Sequence, residues 1–127
     1  MYPSENRYTE DHEWVRIEGE VCVIGITDYA QNELGEVVYV DLPEVGDTFE
    51  AKDAFGAIDS SKTSADVYTP LPGEVVEINS SLEDSPETVN EDPHGKGWLI
   101  KLRFSSRDGF DALMDAGQYQ ELVDSQA

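Results

Sequence analysis

The sequence predicts a mainly β fold of two similar halves, with short helices that include an amphipathic C-terminal helix. Short β-branched runs alternate with Gly, Pro and Asp turn residues along the chain. The run GEVVYV at 35–40 recurs as GEVVEI at 73–78, which suits a small β-domain with an internal repeat. Phe110, Leu113 and Met114 fall at i, i+3 and i+4, as on one helix face. A chain of 127 residues fits one domain, so residues 1–127 are predicted to form a single unit.

The first predicted elements are a β-hairpin and a short helix. Over residues 14–25, Val15 and Ile17 alternate with polar residues, Glu18-Gly19-Glu20 supplies a turn, and Val21-Cys22-Val23-Ile24 returns as a buried strand, which predicts a hairpin. Thr27 is a typical helix N-cap, and Gly35 is placed to end the helix after about two turns.

The remaining elements are mostly strands. Strands are predicted at 37–42, 54–58, 65–68, 73–78 and 98–104. The polar, turn-rich stretch from Ser80 to Pro93 predicts a surface loop. The amphipathic helix is predicted from Phe110 to Gly117, and the residues after it could continue as a short helical turn.

The chain is strongly acidic. Twenty-eight acidic residues oppose eight basic ones, so the formal net charge is −20. Nucleic acid and anionic membrane surfaces are therefore excluded as expected partners, because no basic patch is available to bind phosphates. The acidity fits either a halophilic, salt-adapted surface or an acidic docking face for basic partner enzymes. The acidic residues are spread along the chain, which favours the first interpretation.

The remaining composition indicates a cytoplasmic protein, expected to be a monomer. The sequence shows no long apolar run and no signal peptide at its start. Cys22 is the only cysteine and stands in an apolar run, so it is predicted to lie in the core. His12 and His94 lack the spacing of a metal site and are predicted to orient loops through a ring nitrogen.

One lysine has an unusual setting. Small polar residues surround Lys62, and apolar strand residues flank them on both sides, which predicts an exposed hairpin turn with Lys62 at its tip. A lysine that anchors a long prosthetic group needs such a position, because a ligase must reach the amine and the arm must swing freely. Most lysines in such a pattern are ordinary solvated lysines, so the pattern alone does not establish an anchor.

Many separate residues of the chain resemble the glycine cleavage H-protein family in order and spacing. They include Tyr8-Thr9, His12-Glu13-Trp14, Gly25-Ile26-Thr27, Leu34-Gly35, Leu42-Pro43, Val45-Gly46, Ser61-Lys62, Ser64-Ala65-Asp66, Gly73-Glu74-Val75, Asn90, Asp92-Pro93 and Gly97-Trp98. The family typically has Glu-Ser-Val-Lys-Ala around its modified lysine, whereas this chain has Asp59-Ser60-Ser61-Lys62-Thr63. A biotin site would usually have methionine on both sides of the lysine. An unmodified acidic binding module is the other alternative.

The resemblance implies a lipoyl/biotinyl-type barrel-sandwich with lipoate attached covalently to Lys62. It implies a non-catalytic carrier that takes an aminomethyl group from glycine decarboxylase to aminomethyltransferase and electrons to dihydrolipoamide dehydrogenase. A lipoate ligase or lipoyl transferase would load the lysine. Glu13 and Asp66 match carboxylates of the family's cleft that would pair with the loaded amine. The alternative function is an H-like protein that donates lipoyl groups to other complexes.

Overall fold

The computed structural model describes residues 2–126 as two antiparallel β-sheets with short helices. The elements are β1 (Arg7–Tyr8), β2 (Glu13–Glu18), β3 (Val21–Ile26), α1 (Asp28–Leu34), β4 (Val37–Asp41), β5 (Thr48–Phe49), β6 (Ala54–Ser60), β7 (Ser64–Tyr68), β8 (Gly73–Ile78), α2 (Ser81–Asp84), α3 (Thr88–Glu91), β9 (Ile100–Phe104) and α4 (Ala116–Gln126). One sheet has the order β1-β2-β3-β9-β8-β5 and the other β4-β6-β7. The predicted mainly β fold is confirmed, and the two copies of the repeated run form β4 and β8, one in each sheet.

The predicted hairpin and first helix are both present. β2 and β3 pair along their whole length, with Trp14 opposite Gly25. The Oγ1 atom of Thr27 accepts a hydrogen bond of 3.2 Å from the backbone N–H of Ala30, as expected of an N-cap. α1 ends at Gly35, whose φ of 82° lies in the region that favours glycine.

The prediction of a surface loop from Ser80 to Pro93 is wrong. This stretch contains α2 and α3, each four residues long. Each helix buries one apolar side chain, Leu82 in α2 and Val89 in α3. A single turn has room for only one core-facing residue, so the sequence of this stretch is mostly polar and shows no helical period.

The predicted helix from Phe110 to Gly117 is also wrong in its position. Residues 108–112 form turns, and the helix α4 begins at Ala116. Tyr8 and Met114 form an isolated antiparallel bridge, with N–H···O distances of 2.8 and 3.0 Å between their backbones. This pairing holds the backbone of Met114 in an extended conformation. The tertiary contact with Tyr8 therefore outweighs the helical preference indicated by the i, i+3, i+4 pattern.

Two clusters of buried side chains hold the elements together. The larger joins the two sheets and includes Cys22, as predicted for that residue. The smaller packs α4 onto the first strands through Tyr8, Trp14, Tyr119 and Val123. Among residues 2–126, none of the helices combines the length and hydrophobicity that crossing a bilayer requires.

Candidate functional site

Lys62 lies in the turn that joins β6 to β7, as the sequence predicts. The turn is closed by a hydrogen bond of 2.7 Å from the N–H of Ser60 to the carbonyl of Thr63. The hydroxyl oxygen of Ser60 also accepts from the N–H groups of Lys62 and Thr63, at 3.3 and 3.1 Å. Lys62 is exposed. The small polar residues therefore build a closed turn that presents the lysine to solvent.

The stem of Lys62 lies against the end of α1. A Cβ atom placed on Gly35 would be 3.4 Å from Cε of Lys62, so the side chain is in van der Waals reach of this glycine. The N–H of Ser61 donates to the carbonyl of Glu36 at 2.9 Å. The turn is thus fastened to the connection between α1 and β4.

A groove of about 190 Å³ runs between α1 and β7, next to the lysine turn. We refer to it as the α1 groove. Its apolar lining residues are Ile26, Ala30, Leu34, Ile58, Ala65 and Val67. Its polar lining residues are Asp11, His12, Glu13, Glu33 and Asp66. The groove therefore combines an apolar surface with several carboxylates and no basic side chain other than a histidine.

Glu13 and Asp66 both line this groove, but in different environments. Glu13 is 3% exposed, and its two carboxylate oxygens accept hydrogen bonds from the Thr9 hydroxyl at 2.7 Å and from the Tyr68 N–H at 3.0 Å. Burial raises the pKa of Glu13 to about 7, although both hydrogen bonds act to lower it. Asp66 lies on β7 and is exposed. Glu13 is consequently not an ordinary surface acid.

Both histidines lie in loops and fasten these loops to helices through a ring nitrogen, as predicted. Nδ1 of His12 is hydrogen-bonded to the Tyr119 hydroxyl at 2.7 Å, and Nε2 of His94 accepts from the N–H of Asp28 at 3.2 Å. Burial lowers the pKa of both rings. Within residues 2–126, no group of His, Cys, Asp and Glu side chains could hold a metal ion.

The helix that walls the groove is held at both ends by distant side chains. At its start, the Tyr119 hydroxyl is hydrogen-bonded to Oγ1 of Thr27 at 2.7 Å. At its end, the Asn90 amide contacts Gln31 and Gly35. No role for Tyr119 or Asn90 follows from the sequence, since nothing in the local pattern shows that these residues meet α1.

Comparison with known proteins decides the family. The family model described as the glycine cleavage H-protein matches residues 6–126. The chain belongs to this family. The glycine cleavage system H protein of Bacteroides thetaiotaomicron is 48% identical over 122 residues, covering 96% of this chain and 97% of the relative. That of Bacillus licheniformis is 51% identical over 121 residues, covering 95% of each.

The fold of the family is also the fold of this chain. The crystal structure of a glycine cleavage system H protein from Mycobacterium marinum superposes with a TM-score of 0.86 at 36% sequence identity. The match covers 94% of this chain and 97% of that one. The predicted membership of the H-protein family is thus confirmed.

Proposed function

We propose that this chain is the lipoyl carrier of a glycine cleavage system and that lipoate is attached in amide linkage to Nζ of Lys62. The observation that carries the proposal is the position of Lys62, exposed on a closed turn beside the apolar α1 groove. A lysine at such a tip is open to a ligase and free to carry an arm between enzymes. When bound, the lipoyl group would supply the exchange of an aminomethyl group and of two electrons at its sulfur atoms.

The chain's own residues would hold and shelter the arm. Leu34 and Ala65 lie on opposite walls of the α1 groove and would cover the hydrocarbon part of the arm. Asp66 is an exposed carboxylate on this surface, as Asp11 and Glu33 are, so it would pair directly with a cationic amine. Glu13 already uses both oxygens inside the protein. A cation nearby would favour its ionised form, and Glu13 would then add negative charge behind Asp66.

The carrier would be non-catalytic and would serve four kinds of enzyme. Its partners would be glycine decarboxylase, aminomethyltransferase, dihydrolipoamide dehydrogenase, and the lipoate ligase or lipoyl transferase that loads Lys62. Tethering the arm raises its effective concentration at each active site, which is the physical benefit of a carrier. With a net charge of −20, encounter with partners that present basic faces would be fast at low salt.

Reconstitution with glycine decarboxylase tests the proposal. Lipoylated protein should support the exchange of carbon between glycine and bicarbonate, and Lys62→Arg should abolish it. Lys52→Arg is the matched control, because Lys52 is another exposed lysine in a turn and should leave the exchange unchanged. A lipoylated protein that supports no exchange would contradict the assignment. If the same protein donated lipoyl groups to other carrier domains, the alternative donor function would replace it.

A further inference from the structure

We infer that Asn90 is a positioning residue for the Lys62 arm. Asn90 holds the bend between α1 and β4, formed by Gly35 and Glu36, and the lysine turn of residues 60–63 rests against this bend. The inference depends on the proposed function only in that the arm is taken to be attached to Lys62. Asn90 lies on α3, far from the lysine in sequence, and does not itself line the groove.

The side-chain amide of Asn90 is fully used at the bend. Its Nδ2 atom donates to Oε1 of Gln31 at 2.9 Å and to the carbonyl of Gly35 at 2.8 Å. Its Oδ1 atom accepts from the N–H of Val37 at 2.8 Å. One side chain therefore binds the last turn of α1, the residue that ends it and the first residue of β4.

The bend needs such support. α1 has only seven residues, and helices this short depend on tertiary contacts rather than on their own propensity. The carbonyl groups at the end of a helix lack partners within the helix. The bend also departs from helical geometry at Gly35, where φ is 82°. Asn90 supplies the partner that the Gly35 carbonyl would otherwise lack.

The bend in turn contacts the lysine turn at two adjacent residues. The Gly35 backbone faces Cε of Lys62, and the Glu36 carbonyl accepts from the N–H of Ser61 at 2.9 Å. Leu34, the residue before the bend, lines the α1 groove. Loosening the bend would therefore have two effects at once. It would free the Lys62 side chain at the base of the arm, and it would displace Leu34 from the wall of the groove.

Asn90→Asp is the sharpest variant, because it keeps the Oδ1 acceptor and removes both donors. Asn79→Asp is the matched control. Nδ2 of Asn79 also donates two hydrogen bonds, here both to backbone carbonyls, those of Lys96 and Trp98, at 2.8 and 2.7 Å, and Asn79 also lies outside the groove. Both variants add one negative charge and lose two donated hydrogen bonds, so both should lower the free energy of unfolding.

Two measurements separate positioning from stability. The first is the rate at which iodoacetamide alkylates the thiols of the reduced arm in lipoylated protein. The second is amide hydrogen exchange at Ser61 in unmodified protein. Asn90→Asp should raise both rates roughly three- to tenfold, as loss of about one net hydrogen bond would do, while Asn79→Asp should leave both at the wild-type value. Equal rates in Asn90→Asp and wild type, or an equal rise in Asn79→Asp, would overturn the inference.

If Asn90→Asp does not fold, Gln31→Ala takes its place. It removes one of the three bonds of Asn90 and should raise both rates in the same direction by a smaller factor. No change in Gln31→Ala would also overturn the inference. Failure of the proposed function is recognised separately, because it would appear as wild-type protein that no ligase can lipoylate or that supports no glycine–bicarbonate exchange once lipoylated. In that case, the rate of amide hydrogen exchange at Ser61 in unmodified protein still tests whether Asn90 holds the bend.

Discussion

The substitution Glu13→Gln should remove the contribution of Glu13 to the pH dependence of the free energy of unfolding. The folded protein raises the pKa of Glu13 from the ordinary value of 4.5 to about 7, chiefly by burial. A carboxyl group of this kind binds its proton more tightly in the folded chain. Its contribution to stability is therefore full below pH 4.5 and is lost as the pH rises to about 7. From a pH well below 4.5 to a pH well above 7, the two pKa values correspond to a loss of about 3 kcal/mol in the free energy of unfolding.

Glutamine imitates the protonated acid. It can accept from the Tyr68 N–H and donate to the Thr9 hydroxyl, so both contacts of Glu13 have a counterpart in the variant. Urea unfolding between pH 5 and pH 8, in 1 M potassium chloride to screen surface charge, gives the free energy of unfolding of each protein. The difference in free energy of unfolding between wild type and Glu13→Gln should change by about 2.5 kcal/mol over this range, because part of the effect is already lost at pH 5. Asp66→Asn controls for the loss of one exposed charge, and parallel curves for wild type and Glu13→Gln would refute the reasoning.

Three further predictions concern packing, hydrogen bonding and salt. Tyr119→Phe removes the hydroxyl that binds His12 and Thr27, and should lower the free energy of unfolding by about 1–3 kcal/mol in urea titrations. Gly25→Ala places a Cβ atom 2.7 Å from Nε1 of the buried Trp14, and should cost at least about 1–3 kcal/mol in the same assay. The thermal midpoint should rise as potassium chloride is increased into the molar range, because salt screens repulsion within a chain of net charge −20.

The two substitutions have matched controls, and each of the three predictions has a contradicting result. Tyr39→Phe removes an exposed hydroxyl and should be neutral, so equal losses in Tyr39→Phe and Tyr119→Phe would contradict the buried network. Gly117→Ala meets its nearest neighbour at 3.5 Å and should be tolerated. A Gly25→Ala protein as stable as wild type would contradict the close packing on Trp14. A flat or falling midpoint in the salt series would remove the halophilic interpretation.

Local patterns in the sequence were sufficient for the elements nearest the site. Two strand-like runs around a turn predict the hairpin 14–25, and the Thr27 cap with Gly35 predicts α1, because caps and turns depend on adjacent residues. The lysine turn follows from the same kind of local chemistry. The strands β1 and β5 were missed because each is only two residues long, too short to show alternation.

The arrangement around the lysine depends on contacts that no local pattern shows. Glu13 and Tyr68 are 55 residues apart, yet their hydrogen bond and the burial around it set the pKa of the carboxylate. Asn90 reaches the bend at Gly35 across the same number of residues. The error at 110–117 has a similar origin, since the pairing of Met114 with Tyr8 joins opposite ends of the chain. Family resemblance could point to Glu13 and Asp66, but not to how differently the fold buries them.

The mass of the peptide that contains Lys62 tests the central claim most directly. Protein taken from its native source should be digested, and the Lys62 peptide should carry the mass increase of one lipoyl group in amide linkage. Peptides that contain Lys52, Lys96 or Lys101 should have their unmodified masses, and Lys62→Arg expressed in the same source should show no lipoyl increment at all. An unmodified Lys62 peptide from protein isolated where glycine cleavage is active would contradict the assignment of this chain as the lipoyl carrier.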